Sequence, residues 1–168
     1  MKTVLIKDKD LREAAGKGMD EFLQVIVNGI YEAIGGELNA DNMGELNADQ
    51  ITLLAYMDLR DEVMNGGFIQ LIQNGYGQFI FHNPFDKAVR NWGLHELHKI
   101  VNKCHKLYNK YHEALEKDCT NEEFAALYEQ YPEFDEFDDA FVENEEGFTS
   151  MVAHYVDEHL DNFCKIEK

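Results

Sequence analysis

Proline and cysteine are both scarce in this chain. Only Pro84 and Pro132 occur among 168 residues, and because proline breaks helix interiors, such a low number favours long helices over a loop-rich fold. The three cysteines have no paired spacing, which argues against a zinc-finger motif and favours reduced thiols in the core. These cysteines are Cys104, Cys119 and Cys164.

Long hydrophobic runs are also missing, so the sequence predicts no membrane span. The N-terminal segment has only Val4, Leu5 and Ile6 in succession, whereas the apolar part of a secretion signal needs at least about seven residues. We therefore expect a cytoplasmic protein. Its hydrophobic fraction of 45%, with eleven phenylalanines and eight tyrosines, predicts a packed core rather than disorder.

Basic residues are nearly absent from the last third of the chain. Residues 118–168 contain sixteen acidic and two basic residues, whereas residues 1–117 contain seventeen and thirteen. The net charge of −18 is therefore concentrated towards the C-terminus. Such a field repels nucleic acid and anionic membranes, so we expect neither to bind directly, and it attracts a basic partner.

Hydrophobic periodicity predicts an all-α protein with a single compact domain over residues 1–168 and about seven to eight helices. Residues 4–6 are compatible with either a short strand or a docking segment. A further helical segment is expected after Pro84. The other predicted helices cover 19–34, 50–64, 68–74, 87–117 with a bend near Gly93, 120–131, 132–148 and 149–163.

Local signals mark several helix ends. Gly35 and Gly36 are expected to end the first long helix. Asn47 with Gln50, and Thr120 with Glu123, have the spacing of N-terminal capping pairs. The hexapeptide GELNAD occurs at 36–41 and again at 44–49. We interpret this as a duplication in a loop, because two copies with a period of eight do not make a repeat architecture.

The predicted helix 87–117 has three faces at helical spacing, of which one is apolar. The second is a row of lysines, here called the lysine stripe, formed by Lys99, Lys103, Lys106 and Lys110. The third we interpret as a solvated polar face containing His98, Asn102, His105, Asn109 and His112. His98, His105 and His112 are about 10 Å apart along a helix, too far to share one ion. We predict no metal and no cofactor.

The segment YPEFDEFDDAFVENEEGF, residues 131–148, contains eight carboxylates and four phenylalanines but no lysine or arginine. Phe134, Phe137 and Phe141 are expected on one side of a helix. The acids expected opposite them are Asp135, Glu136, Asp139, Glu143 and Glu146. Two interpretations stay open, namely a face that only keeps the protein soluble and a face that binds a partner. The predicted partner-binding residues are Glu133, Asp135, Glu136, Asp138, Asp139, Glu143, Glu145 and Glu146.

Residues 59–77, LRDEVMNGGFIQLIQNGYG, resemble the signature of a family of small bacterial DNA-mimic proteins. The matching pattern is an acidic residue and valine, then Gly-Gly-Phe, then glutamine and asparagine; here these are Glu62, Val63, Gly66, Gly67, Phe68, Gln70 and Asn74. The acidic segment and residues 151–163 are similar to the closing helices of that family. The similarity covers about residues 50–164 and leaves 1–49 as an N-terminal helical extension.

The resemblance implies an all-α fold and an activity without catalytic residues. Carboxylates would take the place of DNA phosphates on the basic DNA-binding surface of a protein such as a transcriptional regulator, and would keep it from its operator. A homodimer also fits the family.

Two alternatives remain. The first is a structural or assembly role, in which the lysine stripe meets the acidic helices within one chain or across a dimer. The second is an enzyme with an unrecognised site around His95, His98 and the 65–82 turn region.

Overall fold

The computed structural model describes all residues from Met1 to Lys168 and confirms the all-α class. Nine α-helices and two short strands follow one another along the chain, with brief 3-10 turns at Met43–Glu45 and Pro132–Phe134. In chain order they are β1 (Leu5–Lys7), α1 (Asp8–Lys17), α2 (Met19–Ala33), α3 (Ala48–Gln73), α4 (Gly77–Phe81), α5 (Phe85–Asn91), α6 (His95–Glu116), α7 (Asn121–Gln130), α8 (Asp135–Glu158), α9 (Leu160–Phe163) and β2 (Lys165–Glu167).

Both predicted capping pairs are confirmed. Asn47 Oδ1 accepts a hydrogen bond from the backbone N–H of Gln50 at 2.8 Å, and the backbone N–H of Asn47 donates to Gln50 Oε1 at 3.0 Å. Thr120 and Glu123 form the same reciprocal pair at the start of α7. These interactions satisfy backbone N–H groups that have no partner inside the helix.

Several helices differ from the predictions. Helix α4 was not predicted, and the predicted helices 50–64 and 68–74 are one helix, α3, with a kink at Gly67. Helix α1 was not predicted, because its one buried residue, Leu11, leaves no apolar period. The predicted helix 87–117 is divided into α5 and α6 at Gly93, whose φ of 95° no α-helix contains. Conversely, the predicted helices 132–148 and 149–163 are largely one continuous helix, α8, because Gly147 is accommodated inside it.

Contacts within the chain divide it into two compact units. The first contains Met1–Leu54 and Gly147–Lys168. In it, β1 pairs with β2 in parallel, with Ile6 opposite Ile166, so residues 4–6 do contribute a strand. Gln50 Nε2 donates to the Phe163 carbonyl at 2.8 Å, which ties the end of α9 to the start of α3. Leu23, Ile26 and Ile30 of α2 are fully buried in its core.

The second unit, Ala55–Glu146, contains the signature segment and all eight carboxylates of the acidic segment. Its core is rich in aromatic side chains, and the fully buried ones include Tyr56, Phe68, Tyr108, Phe134 and Phe141. Cys104 is a buried free thiol there, and Cys119 is a half-buried one. None of the helices in the structure has the length and apolar character of a membrane span.

Candidate partner-binding surface

Helix α8 presents two chemically different sides. Phe134, just before it, and Phe141 and Phe148 within it are buried, and they recur every seven residues. Seven residues are close to two helical turns, so the phenylalanines align on one side of the helix and pack inward. The opposite side is left to water. Phe137, one turn away from this line, is only half-buried.

Five of the eight predicted partner-binding residues lie together on the exposed side of α8. None of them has an ion pair. We call this set the outer acidic face, and it consists of Asp135, Glu136, Asp139, Glu143 and Glu146. The five residues span about 16 Å at 1.5 Å per residue, which gives roughly one negative charge per 4 Å of helix axis.

Asp138 and Glu145 point the other way. Asp138 lies four residues after Phe134 and three before Phe141, and Glu145 lies in the same way between Phe141 and Phe148. Residues three and four apart are neighbours on a helix surface, so both carboxylates are on the phenylalanine side of α8. Asp138 Oδ1 accepts from the Phe68 amide at 2.8 Å, and Glu145 Oε1 lies 3.8 Å from Arg60 Nη1. They are half-buried contacts to α3. Their direction separates them from the five acids that helical spacing predicted opposite the phenylalanines, and those five are the ones exposed in the structure.

Glu133 stands apart from the outer acidic face. It precedes α8 in the 3-10 turn and accepts a hydrogen bond from the Tyr111 hydroxyl. That hydrogen bond lowers the pKa of Glu133, with smaller contributions from its own backbone and from the charge of Lys110. Glu133 is thus an exposed carboxylate held ionised beside a lysine.

The Gly-Gly-Phe motif forms a kink inside α3 that Asp138 caps. Gly67 has φ 77° and ψ −175°, which interrupts the helix. The Phe68 amide after it begins a new helical stretch and needs an acceptor from outside. Asp138 supplies that acceptor, and the Tyr128 hydroxyl donates to the Gly66 carbonyl at 2.6 Å. A Cβ on Gly67 would lie 2.9 Å from Asp138 Oδ1 and closer still to Oδ2, so glycine is required.

The polar residues of the signature join the two halves of this kinked helix. Glu62 Oε2, before the kink, accepts from Gln70 Nε2 at 2.8 Å and from Asn74 Nδ2 at 3.0 Å, both after it. Sequence reasoning assigned no interaction to these residues. Their spacing of eight and twelve residues is close to two and three helical turns, which was the available signal.

Burial shapes the charge state of two half-buried carboxyls. It raises the pKa of Asp138 to about 7, with Asp135 and Asp139 acting in the same direction and the Phe68 amide opposing them. Burial likewise raises the pKa of Asp58 to about 7, assisted by the charges of Asp61 and Glu62. Both carboxyl groups therefore stay protonated until the pH approaches neutrality.

All four lysines of the lysine stripe are exposed. Lys99 pairs with Glu96 of its own helix at 3.3 Å, and Lys110 lies 5.0 Å from the centre of the Tyr111 ring. A shallow groove of about 180 Å³ brings Lys99 and Lys103 near Glu136 and Asn144 of α8. None of the four pairs with a carboxylate of α8, so the structure does not contain the intrachain ion pairs of the assembly hypothesis.

The three histidines of the predicted polar face, His98, His105 and His112, are half-buried, which corrects that part of the prediction. Asn102 and Asn109 on the same face are exposed, as expected. His98 Nδ1 lies 3.0 Å from the Asp86 carbonyl, and His112 Nδ1 lies 3.0 Å from Glu116 Oε1. His105 stacks on Phe81 with ring centres 5.8 Å apart. These contacts explain their positions by packing and hydrogen bonding.

A polar hollow lies in the region proposed for an unrecognised enzyme site. Its volume is about 260 Å³, and no histidine lines it; the lining residues are Gln70, Gln73, Asn74, Cys119, Asn121 and Phe124. Amide side chains neither take up nor release protons in general acid–base chemistry. No group of three or more histidine, cysteine or acidic side chains has the arrangement of a metal site.

Comparison with known proteins agrees with the resemblance found in the sequence. The family model described as DMP19-like protein matches residues 44–159, which covers both the kinked α3 and the outer acidic face. The chain is also 29% identical, over 165 residues that make up 98% of each chain, to the DNA mimic protein DMP19 of Neisseria meningitidis serogroup B. The chain therefore belongs to the DMP19-like protein family.

Proposed function

We propose that this chain is a non-enzymatic DNA mimic, whose outer acidic face occupies the basic DNA-binding surface of a protein such as a transcriptional regulator. The observation that carries the proposal is the set of five exposed carboxylates of α8 without ion pairs. One DNA strand places a phosphate about every 3.4 Å of its axis. The outer acidic face, at roughly one charge per 4 Å, supplies a similar density of the same sign.

The name of the relative from Neisseria meningitidis, a DNA mimic protein, supports the same proposal. Net charge alone does not distinguish mimicry from solubility. The separation of the carboxylates into outer and inner sets makes the distinction testable, since the inner carboxylates, Asp138 and Glu145, are occupied by contacts to α3. Direct binding of nucleic acid or membrane is disfavoured by the charge of −18.

The test begins with capture of DNA-binding proteins from the source organism at low salt on the immobilised chain. Each captured protein is then bound to labelled DNA, and release of the DNA on adding the chain is followed by gel shift. We expect the chain to displace the DNA, with binding that weakens steeply as salt rises. Recovery of no DNA-binding protein, or of proteins whose DNA is not displaced, contradicts the proposal.

Two matched variants locate the surface. The outer variant carries E136Q, D139N and E143Q, and the control variant carries E32Q, E37Q and D41N, all exposed positions far from α8 in sequence. Each removes three negative charges. Because each exposed charge contributes about 0.2–1 kcal/mol, we expect the outer variant to bind at least about threefold more weakly and the control less than about twofold. Equal losses would mean that net charge, not this face, drives binding.

A homodimer is the second candidate, and the exposed lysine stripe is the observation that favours it. Four cations in a row without an acidic partner on α8 offer a complementary surface to an acidic helix of another copy. Reversal of charge at Lys103 and Lys106 should then reduce the apparent mass in sedimentation at low salt. An unchanged mass would remove the stripe from any assembly role.

A further inference from the structure

Helix α8 contacts α3 through two carboxylates in the second unit. Asp138 meets the Phe68 amide, and Glu145 meets Arg60. Asp138 and Glu145 are seven residues apart on α8, and their contacts on α3 are eight residues apart in the opposite direction. The two helices therefore run antiparallel there, and two points fix the rotation of α8 as well as its register.

At the first of these contacts, the backbone of α3 is shaped to accept a carboxylate. The non-helical backbone of Gly67 frees the Phe68 N–H from the helical ladder, and that glycine leaves space that a Cβ would take from the Asp138 carboxylate. Glu62, Gln70, Asn74 and Tyr128 hold the backbone on either side of the kink. The signature segment thus shapes the place where Asp138 docks.

Rotation decides which carboxylates reach a partner. Successive helical residues are about 100° apart, so placing Asp139 in the position of Asp138 would turn α8 by about 100°. Phe141 and Phe148 would then leave the core and the outer acidic face would turn aside. The direction of the five outer carboxylates is linked to the docking of Asp138.

We propose that Asp138 is a positioning residue of the outer acidic face, which it aims at a basic partner by docking on the Gly67–Phe68 kink. Asp138 itself does not touch the partner. The proposal rests on the proposed function. It adds a role for the signature segment, which would hold α8 in the orientation that exposes the outer acidic face.

The test compares D138N, which keeps an oxygen acceptor for the Phe68 amide, with D138A, which does not. The probe is a fluorescent alanine-based helical peptide with arginines along one side, because a stiff basic helix responds to the geometry of a charged face. Binding is measured by fluorescence anisotropy at low salt, at a temperature where circular dichroism shows each variant folded. D139N, in the outer acidic face, is the control for loss of one charge.

We expect D138N to bind within about twofold of the unmodified chain and D138A at least about fivefold more weakly. The slope of log affinity against log salt reflects the number of charges engaged with the peptide. It should therefore be smaller in D139N and in D138A, whose outer acidic face is misdirected, and unchanged in D138N. Equal weakening by D138N and D138A would show that the charge matters rather than the docking. Unaltered binding by D138A would also overturn the proposal.

Hydrogen exchange at the Phe68 amide separates this proposal from the proposed function. We expect exchange at least about tenfold faster in D138A than in D138N, because only D138A removes the acceptor. Faster exchange with unaltered peptide binding overturns the positioning role and leaves the binding face standing. Failure of the unmodified chain to bind the peptide counts against the binding face, and with it against any positioning of that face.

Discussion

Asp138 and Asp139 are neighbouring residues of the same type, but their carboxyl groups have different surroundings. One rise of 1.5 Å and a turn of about 100° along α8 separate a half-buried carboxyl that caps a kink from an exposed one without an ion pair. Composition therefore does not indicate which acids of this segment are available to a partner. Their position relative to the phenylalanines does, because Asp138 follows Phe134 by four residues.

The raised pKa values of Asp58 and Asp138, each about 7, predict an unusual pH dependence of stability. An unfolded aspartate has a pKa of about 3.9, so between about pH 4 and 7 the native state binds more protons at these sites than the unfolded state. Stability contributed by these groups is full below that range and is lost as the pH rises through about 7. We expect a higher urea midpoint at about pH 5.5 than at about pH 8.

The double variant D58N/D138N should flatten this pH dependence, because asparagine does not titrate. D139N is the control, since it also reduces the net charge but leaves both half-buried carboxyls in place. The groups facing Asp138 are Asp135 and Asp139 on α8, Tyr128 on α7 and Cys104 on α6. A pH profile that is equally steep in the double variant and in D139N would assign the effect to general charge repulsion instead.

Glu62 offers a second test at single residues. E62A leaves the Gln70 and Asn74 amides without their acceptor, and we expect it to cost about 1–2 kcal/mol of unfolding free energy. A double-mutant cycle of E62A with N74A should give a coupling of about 0.5–1.5 kcal/mol in urea unfolding. Additive losses would show that the bond does not join the two halves of α3.

At the scale of elements, the kink in α3 depends on Gly67. G67A meets two obstacles, a φ of 77° that side-chain-bearing residues rarely adopt and the carboxylate of Asp138. We expect a loss of about 2–4 kcal/mol in unfolding free energy, measured by urea titration.

G147A is the matched control for this substitution. Gly147 lies inside α8 with no atom within 4 Å of an added Cβ, so alanine should be neutral or stabilise by up to about 1 kcal/mol. If G67A were tolerated equally well, the kink would not be a fixed feature of the fold.

Elements defined by neighbouring residues were predictable from the sequence. The Asn47 and Thr120 caps depend on side chains three residues apart, and the end of α2 depends on Gly35 and Gly36, so both kinds of signal are local. The continuity of α8 was not predictable in this way, because Gly147 is a weak helix former that the flanking buried residues Phe148 and Val152 override.

The proposed binding surface was predictable only in part. The outer acids follow from helical period, but the inward direction of Asp138 depends on the Phe68 amide, which is 70 residues away in the sequence. Arg60 stands likewise far from Glu145 in the chain. Contacts between distant segments are not encoded in a local pattern. Helical period therefore separates the outer acids from the inner ones, but the partners of the inner acids required the structure.

For the whole molecule, the 33 acids so outnumber the 15 bases that at least eighteen acidic side chains have no basic side chain to pair with. A field of this size steers a basic partner towards the chain from a distance. The same field makes the acids repel one another in the folded state, since folding brings them closer than they are in the unfolded chain.

Salt should therefore act in opposite directions on folding and on binding. Raising sodium chloride from about 0.01 M to about 0.1 M shortens the Debye length from about 30 Å to about 10 Å. We expect this to raise the unfolding free energy by about 1 kcal/mol in urea titrations, because it screens self-repulsion, while affinity for a basic partner falls over the same range.

The outer variant and the control variant, which both carry three fewer negative charges, should show equally reduced salt effects on stability, whereas only the outer variant should lose salt sensitivity in binding. A salt response of stability that is absent or reversed would mean that the acids are already compensated in the folded state, and the same conclusion would remove the field on which steering of the partner depends.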